Sequence, residues 1–318
     1  MALTNIEEFL VENEYCSRVE DIAFVFSYGR NSAKTKIVLY NRREPKYSIN
    51  VLENRKGKDY QILESISRNQ RHCGNSGHCN GMPQIVAREF RDKVLIISDY
   101  VEGRDCEELL LSNCLRVEDY VKDVSDWHLE FMESTREYRT INESAMERFS
   151  KDFEHLHPGI DAAEILHELS FGPAHGDLVP SNVIFCDGRF KSVIDWESFD
   201  PNGIPLIDYA SIPIVSIYST YYYRNDKCVF RIENAKRNLS ILSSAFRKLD
   251  SPWNTEDGFL ALARLYSYKA ISICERLGLQ TQKQKHLRII QDISTLLAPP
   301  INRKDPTPGV ENISHQYE

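Results

Sequence analysis

His175-Gly176-Asp177-Leu178-Val179-Pro180-Ser181-Asn182, followed shortly by Val193-Ile194-Asp195-Trp196-Glu197, is the stretch on which the reading of this chain turns. One carboxylate stands five residues before a carboxamide, and a second carboxylate follows two short apolar runs. Those runs, Val183-Ile184-Phe185 and Phe190-Lys191-Ser192-Val193-Ile194, are separated by Cys186-Asp187-Gly188-Arg189. An Asp-Gly pair between apolar runs signals a β-hairpin. The hairpin predicts Asn182 and Asp195 side by side at one end of a two-stranded ribbon. Phosphoryl transfer needs that inventory: a carboxylate that orients the nucleophile and takes its proton, and hard oxygen ligands that hold Mg²⁺ against phosphate charge. In this reading Asp177 is the catalytic group, and Asn182 and Asp195 hold metal. The plainer alternative is a polar turn, a hairpin and a surface acid.

The two segments resemble the catalytic loop and metal-binding segment of the aminoglycoside phosphotransferase and choline kinase-like family, whose fold is similar to that of the protein kinases. The resemblance implies an α+β, two-lobed protein-kinase-like fold with a small β-rich N-lobe and a larger helical C-lobe. It implies transfer of the γ-phosphoryl group of ATP, or of GTP, to a hydroxyl of a small molecule, with Mg²⁺ as cofactor. Gly176 stands where a regulated protein kinase has arginine, and Asp-Trp-Glu stands in place of Asp-Phe-Gly with no Ala-Pro-Glu after it; both favour a small acceptor. By the same resemblance Asp208 is a buried acid at a helix start that braces the catalytic loop. Aminoglycoside, choline or ethanolamine, sugar and amino alcohol all remain open as the acceptor.

Upstream, Ile22 to Tyr28, Thr35 to Tyr40 and Lys46 to Leu52 are short β-rich runs. Ser27-Tyr28-Gly29-Arg30-Asn31-Ser32 lies between the first two, and in the kinase-like layout this turn covers the nucleotide phosphates through backbone N–H groups, which singles out Gly29 and Ser32. A surface hairpin is the competing reading. The third run departs from the family: Asn50 stands where a lysine for the α/β-phosphates is expected. Lys46 shares its strand face two pairs away, and Lys36 on the neighbouring strand is a substitute facing the same cleft. Asp59 or Glu64 would be the acidic partner on the helix that follows. Lys93 to Gly103 reads as a buried apolar strand running into an extended segment that ends at glycine; it resembles the inter-lobe hinge of the same family, which implies that Asp99-Tyr100-Val101 borders the nucleotide base, with a plain core strand and turn as the alternative. The absent strand lysine supports a second hypothesis, a pseudokinase-like binding module or scaffold.

The 318 residues are enough for two packed lobes, divided here as 1–98, a hinge at 99–103, a helical part at 104–298 and a disordered tail at 299–318. A net charge of −8 leaves no basic stripe for a nucleic-acid partner. No run has the length of a membrane span and no secretory leader is visible, which predicts a cytosolic protein. Oligomeric state is not legible. The eight cysteines read as reduced thiols. His72, Cys73, His78 and Cys79 are close enough to suggest zinc, but their spacing fits a glycine-containing loop better. An N-terminal helix is expected with Ile6, Phe9, Leu10 and Asn13 on one side. Val117, Tyr120, Val121, Val124, His128 and Phe131 share a helical face, which makes His128 a core residue. Asp161 to Glu164 reads as a capping box. Tyr218 and Tyr221 to Tyr223 are core or helix-surface residues, with a pocket wall as the alternative. Glu197 and Asp200 form a solvated turn, with attraction of a cationic acceptor as the alternative. Three helices end the chain. One carries Ala235, Leu239, Leu242, Phe246 and Leu249; one, Phe259 to Ile273, is apolar nearly all round, which implies a buried helix; one carries Leu287, Ile290, Ile293 and Leu297.

Overall fold

The structure, a computed structural model, describes residues 3–16, 22–29, 32–41, 44–53, 85–90, 93–136, 147, 150, 169–222, 232–276 and 278–297. The His72–Cys79 loop, Asp59, Glu64, the Asp161–Glu164 box, Tyr223 and the tail lie outside these residues, as do the side chains of Ser32, Lys34, Lys36, Glu197, Tyr221, Tyr222, Ala235 and Leu297. The chain divides into two compact units, Met1–Cys228 and Val229–Glu318.

The first unit opens with helix α1 (Leu3–Glu12) and an antiparallel sheet of β1 (Ile22–Gly29), β2 (Ser32–Asn41), β3 (Glu44–Glu53), β4 (Ile85–Phe90) and β5 (Lys93–Asp99), in the order β1-β2-β3-β5-β4. Connections of two residues, 30–31 and 42–43, join β1 to β2 and β2 to β3, and short loops of that kind fix the register of the strands they join. Ile37, Ile49 and Ile97 face one another across three strands. With Leu39 and Leu95 they take Ile6 and Leu10 of α1 into one apolar cluster. Each such side chain contributes about 1.5–3 kcal/mol by leaving water. Asn13 does not join that stripe. It is exposed, and its side chain donates to Phe9 O at 2.8 Å, closing the helix end.

After β5 the chain runs through Tyr100 to Gly103 into β6 (Arg104–Asp105), α2 (Cys106–Leu111) and α3 (Val117–Ser134). Asp105 caps α2 by accepting from Glu108 N at 2.8 Å, satisfying a donor that the helix leaves open. On α3 the predicted face is buried, and His128 packs among Phe131 and Tyr209 as a core residue. Then come β7 (Gly172–Ala174), a 3₁₀ turn (Pro180–Asn182), β8 (Val183–Cys186), β9 (Arg189–Val193), a second 3₁₀ turn (Trp196–Ser198), β10 (Asp200–Gly203) and α4 (Pro205–Tyr222). β10 pairs with β7, and β6 pairs with β8, which pairs with β9.

The second unit holds α5 (Ile232–Phe246), α6 (Glu256–Arg276) and α7 (Gln280–Leu297). Two expectations need correcting here. α6 is not buried all round: Ile273 is 37% exposed, and Arg264 and Lys269 are half-buried. Among the described residues of α7 the buried ones are Ile289 and Ile293, whereas Leu287 is 38% exposed. Among the described residues, Cys16, Cys106, Cys114, Cys186 and Cys274 are not joined in disulfides. Among the described residues no helix is long and apolar enough to cross a membrane.

Candidate active site

The hairpin forms where the Asp-Gly pair predicted it. Asp187 and Gly188 both adopt positive φ (51° and 74°), the geometry of a two-residue turn matched to strand twist. Pairing runs from Cys186↔Arg189 back to Val183↔Val193 and continues one step further, since Ile194 N donates to Asn182 O at 2.8 Å. Asn182 and Asp195 therefore stand at the same end of the ribbon. Asp195 itself has φ 62°, an uncommon conformation for a residue with a side chain and one that recurs at functional sites. It turns the strand abruptly into the Trp196–Ser198 turn.

Asp177 is tied to the same point. The Asn182 side-chain amide donates to Asp177 O at 2.9 Å and to Asp177 Oδ2 at 3.2 Å. This fixes the carboxamide: its nitrogen faces Asp177, and its carbonyl oxygen is turned to the other side. Asn182 is buried and Asp177 is exposed, so the loop offers solvent a carboxylate on a rigid base.

That base is built from buried hydrogen bonds. Asp177 N donates to His175 Nδ1 at 3.2 Å, so the ring proton sits on Nε2, which donates to Ile194 O at 2.9 Å. One neutral imidazole thus joins the catalytic loop to the segment that carries Asp195. Burial holds the His175 imidazole below its ordinary pKa, against the opposing pull of Asp208 and the Ile194 carbonyl. Its ring also meets the Trp196 indole edge-on at 4.6 Å. Gly176 has φ 85°, and a Cβ there would overlap the carbonyl oxygen of Ser198. Gly176 N donates to Asp208 Oδ2 at 2.9 Å. Asp208, 2% exposed in the first turn of α4, is thus the brace expected from the sequence. Ser211, one turn further along, lies 2.6 Å from Leu178 O and holds the next stretch of the loop. No sequence signal pointed to Ser211, because its role depends on α4 passing beneath the loop.

The remaining candidates lie on the sheet. Gly29 and Ser32 form the closing pair of the β1–β2 hairpin. Asn50 lies in the middle of β3, with Lys36 of β2 and Ile96 of β5 as its direct cross-strand partners. Asp99 ends β5 opposite Tyr47, and Tyr100 N donates to Lys46 O at 2.9 Å, after which Val101 is half-buried. The structure thus gathers the candidates into two groups: Asp177, Asn182 and Asp195 at the open end of the β8–β9 hairpin, and the rest on the sheet except for Val101, which lies just past β5. Asp200 is exposed and accepts from Asn202 N at 2.9 Å, which is a turn contact. Tyr218 is buried in α4.

The donor set suits a hard divalent ion. Asn182 offers a carboxamide oxygen and Asp195 a carboxylate, one of whose oxygens is buried. Among the described residues no group of three or more His, Cys, Asp or Glu side chains could hold a metal on its own.

Residues 124–237 match the family model described as the phosphotransferase enzyme family. The matched segment contains the catalytic loop, the hairpin, Asp195 and Asp208, and this is the family that the motifs resemble. No curated protein matches the chain in sequence. Among solved structures the chain is similar to an aminoglycoside-3′-phosphotransferase of type VIII (12% identity, TM-score 0.44, covering 83% of this chain and 99% of that one). It is also similar to a Plasmodium vivax ethanolamine kinase (11% identity, TM-score 0.48, covering 94% of this chain and 88% of that one). The described residues form an α+β fold, an antiparallel five-stranded sheet followed by helices and the Asn182–Asp195 hairpin.

Proposed function

We propose that this protein transfers the γ-phosphoryl group of ATP or GTP to a hydroxyl of a small molecule, with the nucleotide held between residues 1–98 and the hairpin that follows the 99–103 hinge. The observation that carries the proposal is the Asn182 amide bonded to Asp177 on a ribbon whose other strand leads directly into Asp195. Asp177 orients the acceptor hydroxyl and takes its proton as the oxygen attacks the γ-phosphorus. One O–P bond forms, the β,γ-bridging O–P bond breaks, and the nucleoside diphosphate leaves with the bridging oxygen. Asn182 and Asp195 are the residues that would hold Mg²⁺. When bound, the ion supplies neutralisation of the phosphate charge. His175 and Asp208 keep the loop in place, so the carboxylate meets the hydroxyl without first reorganising.

Asp177→Ala should lower turnover by roughly 10²–10⁴-fold while leaving nucleotide affinity nearly unchanged. ADP release measured over a panel of candidate alcohols reads this directly, and an unaltered rate removes Asp177 from the mechanism. Asn50 favours a second reading, a scaffold that has given up chemistry. A thermal-shift titration separates the two. A nucleotide that binds raises stability by about 2.7 kcal/mol at a hundredfold excess over Kd, whereas the scaffold gives no shift at millimolar nucleotide.

A further inference from the structure

From His175 to Val179 the loop can be followed one peptide unit at a time, and each unit is held by a different side chain. Gly176 N donates to Asp208 Oδ2 at 2.9 Å, and Asp177 N donates to His175 Nδ1 at 3.2 Å. Asp177 O accepts from the Asn182 amide at 2.9 Å. Leu178 O, in the unit after that, accepts from the Ser211 hydroxyl at 2.6 Å. The inner two contacts fix the backbone dihedrals of Asp177, and the directions open to its side chain follow from those dihedrals. The outer two keep the ends of the segment from rotating. Both outer contacts come from the start of α4, where Asp208 and Ser211 stand three positions apart and so share a helix face.

Ser211 is 4% exposed and Leu178 1%, so water does not replace this hydroxyl. The same oxygen lies 2.7 Å from Asp208 O. A serine inside a helix often bonds back to a carbonyl of the preceding turn, which is a local contact. Here one hydroxyl proton lies between two carbonyl oxygens, one on α4 and one on the loop. Removing it takes the Ser211 donor from a buried carbonyl, which costs more than the bond itself contributes. The loop relieves that cost by turning the Leu178 carbonyl, and the turn reaches Asp177 one residue back.

We propose that Ser211 is a positioning residue for phosphoryl transfer, acting through Asp177 by holding its carboxylate where the acceptor hydroxyl meets it. This rests on the phosphotransferase reading and adds to it a residue outside both the catalytic loop and the metal pair. Thr135 provides the contrast. It too is a buried hydroxyl, but its bonds run to Phe131 O and Met132 O of its own helix, at 2.8 and 3.3 Å.

The test measures ADP release from ATP·Mg²⁺, with water as the acceptor and with any alcohol of the panel that is turned over, beside ATP·Mg²⁺ affinity by titration. Ser211→Ala should lower kcat roughly tenfold, the worth of one buried hydrogen bond, and leave ATP affinity within about twofold. Ser211→Thr keeps the hydroxyl and should recover most of the lost kcat. Thr135→Ala should turn over as wild type does. In an Asp177→Ala background, Ser211→Ala should change the residual rate by less than about twofold, because residues that act as a unit are not additive. If Ser211→Ala does not fold, Ser211→Cys, a weak donor, replaces it, with the same loss of kcat at retained ATP affinity expected. A wild-type kcat in the variant, or an equal loss with and without Asp177, overturns the positioning role and leaves the phosphotransferase reading standing. Joint loss of kcat and ATP affinity that threonine does not recover also overturns the role, making Ser211 structural. Wild type that releases no ADP with water or any alcohol overturns both.

Discussion

Around His175 the backbone is held by side chains: His175 bonds to two main-chain groups, Asp208 receives the N–H of Gly176, and Ser211 reaches Leu178 O. In the sheet, Gly29, Ser32, Lys36 and Asn50 are placed by strand pairing, which nearly any residue's backbone supplies. The two regions therefore tolerate change differently. A loop fixed by particular side chains keeps those residues in order to keep its shape. A sheet fixed by its ladder keeps its shape when a side chain on it changes. Asp177, Asn182 and Asp195 follow the sequence pattern of the family that they resemble, and Asn50, on the sheet, departs from it.

Three perturbations sharpen this contrast. The largest effect belongs to Gly176→Ala, which puts a Cβ on a residue with φ 85° and against the Ser198 carbonyl. It should cost at least about 3 kcal/mol, read from urea unfolding; a loss below 1 kcal/mol would mean that the loop is not rigid. An intermediate effect comes from pH. The folded pKa of His175 is depressed, so the unfolded chain binds the proton more readily. The stability this contributes is complete above the ordinary imidazole value of about 6.5 and declines as pH falls below it, by at most about 1.4 kcal/mol per pH unit. Subtracting the stability profile of His175→Gln from that of wild type isolates this slope, and coincident profiles would remove His175 as the neutral bridge. The smallest effect is Ser32→Ala. If the β1–β2 hairpin meets phosphate through backbone N–H groups, ATP affinity should stay within about twofold. A loss of tenfold would show that this side chain acts in its own right.

How much of this was legible follows the same division. The hairpin was readable because Asp187-Gly188 can take positive φ at little cost and the flanking residues are apolar. The buried face of α3 was readable because its period is strong and unbroken. The phase of α7 was not, since Leu287 and Ile289 both satisfy a helical stripe with Ile293 nearby, and only packing decides that Ile289 goes inside. The sequence placed Lys36 on the strand next to Asn50, but not its register directly opposite Asn50. That register depends on the bulge at Lys46, and without that one extra residue the two would lie on different faces. Ser211 was invisible for a related reason: its partner lies 33 residues away across the fold.

The central claim is that Asn182 and Asp195 meet as a pair of metal ligands beside Asp177, and it can be tested without knowing the acceptor. ATP affinity is measured with and without Mg²⁺ for wild type and for Asp195→Ala. Wild type should bind ATP more tightly when Mg²⁺ is present, by tenfold or more, and Asp195→Ala should lose most of that gain while its metal-free affinity stays close to that of wild type. An equal Mg²⁺ effect in the two proteins would contradict the account.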